Sequence, residues 1–89
     1  MLSPDHAGIR GAYGAALYLA GELDAARQNL LAALALGAPA WRVAYHLGLV
    51  EESAGRVDAA LGHYRESVAS NPTWPQSQAR LTALERQQP

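Results

Sequence analysis

The chain of 89 residues carries seven basic and eight acidic side chains, a formal net charge of −1, and no cysteine. That balance excludes the basic surface a nucleic-acid binder needs to neutralise phosphates. The missing cysteine excludes a disulfide framework, a thiolate metal site and a cysteine nucleophile. Alanine and leucine dominate the apolar residues, phenylalanine is absent and β-branched residues are few, a mixture that favours helix over strand and predicts one all-α domain over residues 1–89. No apolar stretch approaches the roughly 18 residues that span a bilayer, and the opening "MLSPDHAGIR" lacks the charged and apolar regions of a signal peptide. Membrane insertion is not expected, and the chain, read as complete, is expected in the cytoplasm.

Five helices are predicted in chain order. The first, over 4–19, opens at Ser3-Pro4, where the missing N–H and fixed φ of proline suit a first helical turn. It holds Gly8, Gly11 and Gly14 three apart, which is not the Gly-x-Gly-x-x-Gly spacing of a strand-to-helix phosphate loop, and no strand precedes them. Either these small residues let another helix approach closely, or they are a tolerated, frayed first turn. Gly21 then stops the helix, since a left-handed C′ residue is favourable chiefly for glycine. The second helix, 23–36, has Asp24 in its first turn, where a carboxylate complements the N-terminal partial charge. Ala38-Pro39 opens the third, 40–53, and Gly55 ends it. The fourth, 57–70, repeats the acidic first turn with Asp58, and Trp74-Pro75 opens the fifth, 74–87. The apolar stripes Ile9, Tyr13, Ala16, Ala20 and Val43, Leu47, Val50, Ala54 follow helical spacing and predict antiparallel pairs joined by short turns.

A period of 34 runs through this order. Gly14, Ala20, Gly21, Asp24, Ala25, Ala26 and Ala35 recur as Gly48, Ala54, Gly55, Asp58, Ala59, Ala60 and Ala69. The register extends into a third, shorter unit, in which Leu47, Val50 and Glu51 reappear as Leu81, Leu84 and Glu85. Gly14 and Gly48 lack a Cβ where two helices of a hairpin are expected to cross, with Ala26 and Ala60 as the small surfaces they approach.

These residues resemble the tetratricopeptide repeat, a 34-residue helix-turn-helix unit. Residues 41–74 fit its pattern through Leu47-Gly48, Gly55, Ala60, Tyr64, Ser67 and Pro72. Residues 7–40 fit through Tyr13-Gly14, Gly21, Ala26, Leu30 and Ala33, with Pro39 one place later than the closing proline. Residues 75–87 are similar to the family's terminal capping helix. The resemblance implies a right-handed superhelical stack whose concave face, lined by the first helix of each pair, holds a peptide or a partner helix. Carried over by position, that face comprises Gly8, Gly11, Ala12, Ala15 and Leu19, then Arg42, Tyr45, His46, Leu49 and Glu52, then Gln76, Ala79, Arg80 and Ala83. Members that grip a C-terminal carboxylate use Lys, Asn and Arg on this face. The matching places here are Gly11, Ala15, His46, Gln76 and Arg80, of which only Arg80 is of that type, so an apolar, helical or non-acidic ligand is expected.

Arg42, Tyr45 and His46 are expected near one another, as hot-spot residue types or as ordinary surface. Glu51 and Glu52 follow His46 by five and six residues, Ser53 lies too far along the helix to pair with it, and the two acids are expected to form a solvated face. His46 and His63 have no zinc-ligand spacing, His6 is expected in solvent, and Trp41 and Trp74 are expected as packing caps between units. No enzyme activity, metal or cofactor is expected. The reading is a protein-interaction module, with a self-associating scaffold, or a repeat segment of a larger bacterial secretion or assembly protein or enzyme, as the alternatives.

Overall fold

The structure, a computed structural model, describes residues 5–88. Among these it is all-helical: α1 His6–Leu19, α2 Leu23–Ala35, α3 Ala40–Ser53, α4 Val57–Ser70 and α5 Pro75–Arg86. The Ser3-Pro4 start signal lies outside the described residues. Asp5 caps α1, its Oδ1 accepting from the Gly8 N–H at 2.9 Å, which satisfies one of the orphan donors of the first turn. Pro75 occupies the first turn of α5 as expected. Pro39 stands just before α3, its carbonyl accepting from the N–H groups of Arg42 and Val43 at 3.1 Å. The period is physical as well as sequential, because α3 begins and ends 34 residues after α1.

Gly21 and Gly55 have φ of +82° and +80°. Around them the N–H of Glu22 reaches the Leu17 carbonyl and that of Arg56 the Glu51 carbonyl, both at 2.9 Å, so each first helix ends in the same glycine-dependent cap. A third such glycine, Gly37 at φ +99°, reverses the chain between α2 and α3, where the sequence reading looks to Pro39. The matching place after α4 is Asn71, with φ −145°. There Pro72 sits inside a turn closed by Trp74 N–H to the Asn71 carbonyl at 3.3 Å.

Helices α1 and α2 run antiparallel, for Gly11 faces Ala33 while Gly14 faces Leu30. Helices α3 and α4 do likewise, pairing Trp41 with Ser67 and Gly48 with Tyr64. At each crossing a larger side chain also fills the space beside the glycine. A Cβ at Gly14 would lie 2.8 Å from Leu30 Cγ and 3.3 Å from the Ala26 carbonyl oxygen, and one at Gly48 would strike the Tyr64 ring. The space left by each glycine is filled by the large residue one turn beyond the alanine. Ala26 and Ala60 are themselves fully buried, on the same helix faces.

Two apolar clusters hold the stack together. Ala26, Leu30 and Ala33 of α2 meet Val43, Leu47 and Val50 of α3; Ala60, Leu61 and Tyr64 of α4 meet Leu81 and Leu84 of α5. Ser67 stitches the second hairpin to α5. Its hydroxyl donates to the Trp41 carbonyl at 2.7 Å and is hydrogen bonded to the buried Ser77 hydroxyl. Because Ser67 has one proton to give, Ser77 is the donor in the second bond. The assembly measures 52 × 28 × 17 Å, an elongated row of hairpins in which α1 and α3 touch only weakly.

Candidate functional site

That weak contact is a consequence of side-chain size. Toward α3, helix α1 presents Gly8, Gly11, Ala12 and Ala15, at helical spacing, and these are too small to fill the gap. What remains is a groove of about 350 Å³, floored by Leu30 and Val43, flanked by Arg42 and His46, and closed at one end by the turn Gly37-Ala38-Pro39. Its walls are mainly apolar. A Cβ added at Gly11 would meet only Ala33, at 3.8 Å, so the opening is real space rather than a tight crossing.

His46 is half-buried and its Nδ1 lies 3.0 Å from the Arg42 carbonyl. A carbonyl only accepts, so Nδ1 carries the proton and Nε2 of the neutral ring is left as an acceptor. Burial holds the imidazole below its ordinary pKa; the Arg42 charge adds to this, while the bond to the Arg42 carbonyl opposes it. The Arg42 guanidinium rests 5.2 Å from the centre of the Trp41 ring, a cation–π arrangement that steadies it at the groove's edge. The site therefore offers an apolar trough rimmed by the Arg42 cation, the Nε2 acceptor of His46 and the Asp5 carboxylate.

Of the residues assigned to the concave face, the structure brings Gly8, Gly11, Ala12, Ala15, Arg42 and His46 together at this groove. The others lie elsewhere. Leu19 is 83% exposed and borders a separate shallow depression with Tyr18, Gly21, Leu23 and Ser53. Tyr45 and Leu49 pack against the α4–α5 cluster, Tyr45 meeting Trp74 edge to face at 4.7 Å and Tyr64 at 6.2 Å. Trp74 also meets Trp41 at 4.6 Å, so both tryptophans pack between units. Arg80 donates to Glu52 Oε1 at 2.7 Å, an oxygen that also accepts from the Tyr64 hydroxyl at 2.8 Å. Helix α3 has α1 on one side and α5 on the other, and adjacent residues lie about 100° apart around it. Arg42 and His46 accordingly face α1, while Tyr45 and Leu49 face α5.

Glu51 and Glu52 correct the expectation of a solvated acidic face. Glu51 is only 6% exposed and joins the two hairpins, its Oε1 accepting from Arg27 Nε of α2 at 2.8 Å and from Arg56 Nη1 at 3.3 Å, with Arg27 Nη2 beside it as an ion pair at 2.7 Å. Burial works against its charge, but the bonds and charges of Arg27 and then Arg56 outweigh burial and hold the carboxyl below its ordinary value. Sequence reasoning missed this bridge because Arg27 lies 24 residues away. The one available signal was an arginine on the otherwise apolar face of α2.

Among the described residues no group of three His, Cys, Asp or Glu side chains is placed to hold a metal ion, and no helix is long and apolar enough to cross a membrane. Comparison with protein-family models, curated proteins and solved structures gave no match.

Proposed function

We propose that the chain is a tetratricopeptide-like protein-interaction module that binds a peptide or helix in the groove between α1 and α3, without catalytic activity. In this reading residues 7–40 and 41–74 are two repeats, residues 75–87 cap them, and the hairpins wind as a right-handed superhelix. The 34-residue spacing of helices, glycine caps and crossings supports the repeat assignment. The observation that carries the function is the groove itself, an apolar trough that exists because one wall consists of glycine and alanine. A ligand suited to it inserts an apolar side chain over Leu30 and Val43 and meets Nε2 of His46 or Arg42 with its backbone or a polar neighbour. Arg80 is engaged by Glu52, so the carboxylate-gripping mode has no free cation at that position.

Selection of 12-residue peptides from a displayed random library on the full chain tests the reading. Recovered peptides are expected to be apolar and to bind Ala15→Leu, which fills the groove, at least tenfold more weakly, about 1.4 kcal/mol, while binding Leu19→Ala unchanged. Failure to recover any binder, or equal binding to Ala15→Leu, contradicts the proposal.

A further inference from the structure

The 34-residue register makes three first helices comparable face by face. In α3, Val43, Leu47 and Val50 are covered by the stripe Ala26, Leu30, Ala33 of α2. In α5 the corresponding Ser77, Leu81 and Leu84 are equally buried, against the stripe Ala60, Tyr64, Ser67 of α4. In α1 the same positions are Ile9, Tyr13 and Ala16. Here Ile9 is 61% and Tyr13 56% exposed, although they are bulkier than their counterparts. The two ends of the stack differ in kind. Where α1 and α3 have Gly14 and Gly48 to receive a following helix, α5 has Thr82, hydrogen bonded to Gln78 at 3.1 Å. The α5 end thus carries the polar Gln78, Thr82 and Arg86 beside Ala79 and Ala83 around a shallow open depression, whereas the α1 end exposes the large apolar Ile9 and Tyr13.

We infer that α1 is a docking face for an amphipathic helix of another polypeptide, seated on Ile9, Tyr13 and Ala16 as α2 is seated on α3 and α4 on α5. The two internal interfaces specify the partner's chemistry: a small residue, a large apolar or aromatic one four positions later and a small one three beyond that. The neighbouring position is specified too. Leu17 stands where α3 has Glu51, so the partner needs no arginine at the place Arg27 takes in α2. An apolar residue, as Leu61 is in α4, suits it. A folded second copy cannot supply the α2 or α4 stripe itself, because both are fully covered, at 0 to 1% exposure. This face points away from the α1–α3 groove, so the inference does not depend on the groove binding anything.

An acetylated, amidated peptide of the α4 sequence, residues 56–71, added to the full isotope-labelled chain provides the test through amide chemical-shift mapping. Saturable shifts centred on Ile9, Tyr13 and Ala16 are expected. Affinity is expected to fall at least tenfold for Ile9→Glu and for Tyr13→Ser, two exposed positions whose melting curves report that the fold is kept, and for a peptide carrying Tyr64→Glu. No shifts at millimolar peptide, shifts confined to Gly11, Ala15 and His46, or undiminished binding to both chain variants would overturn the inference. So would a concentration-dependent dimer in sedimentation that Ile9→Glu abolishes, since that assigns the face to a second copy.

Discussion

At the scale of single residues, the ionisable groups that matter are the two whose protonation the fold opposes. The unfolded His46 imidazole takes a proton near its ordinary 6.5, whereas the buried one resists it. The unfolded state therefore binds more protons in that range, and stability falls as pH drops below about 6.5 until the folded ring also titrates. Glu51 acts lower. Its folded carboxyl is held below the ordinary 4.5, so its contribution is complete above that value and is lost as pH falls through the folded one. Two acid steps follow, and chemical denaturation across pH 3–8 separates them: His46→Gln removes the upper step, and Glu51→Gln the lower. At neutral pH Glu51→Gln is expected to cost about 2 kcal/mol, because it leaves the Arg27 head group without the charge it pairs with. Equal stability of Glu51→Gln and the native chain at pH 7 contradicts the bridging role. None of this is legible locally. Two adjacent glutamates on a helix read as solvated until the fold brings Arg27, Arg56, Tyr64 and Arg80 to them.

Between elements, the glycines of α1 and α3 perform two different tasks, and substitution by alanine distinguishes them by sign. At Gly48 the added Cβ strikes the ring of Tyr64, which is fully buried and has nowhere to go. Overpacking of about 1 to 3 kcal/mol exceeds the helix-propensity gain of about 1 kcal/mol, so Gly48→Ala is expected to lower the melting temperature. At Gly11 the nearest atom is 3.8 Å away, the propensity gain stands alone, and Gly11→Ala is expected to raise it. About 1 kcal/mol corresponds to roughly 4 to 8 °C for a domain of this size, so thermal melts resolve both; a stabilised Gly48→Ala would refute the assigned crossing. Helix positions were legible because proline, glycine and aspartate punctuate the chain at repeated intervals. The partner of Gly48 was not, since a motif shows which positions are small without showing which neighbour occupies the space. Gly37 is not marked by the repeat for a related reason: its counterpart 34 residues on is Asn71.

For the whole molecule, the arrangement of neighbours determines what each helix face does, and it divided the expected concave surface. Position along the repeat assigned Tyr45, Leu49 and Arg80 to one face with Gly11, Ala15, Arg42 and His46. Placing α5 beside α3 commits the first three to packing and ion pairing and leaves the last four around the open groove. That division depends on how α1 and α5 flank α3, information the pattern of a single helix does not contain. The small residues of α1 were legible from the start; that they widen a gap rather than tighten a crossing required the α1–α3 distance. The claim on which the functional account rests is that this gap receives an apolar side chain from another polypeptide. Intermolecular NOEs from the Ala15 methyl group and the His46 ring to a library-selected peptide test it most directly. Contacts from both to an apolar side chain of the peptide are predicted, and a bound peptide whose contacts all arise from α2, α4 or α5 would contradict it.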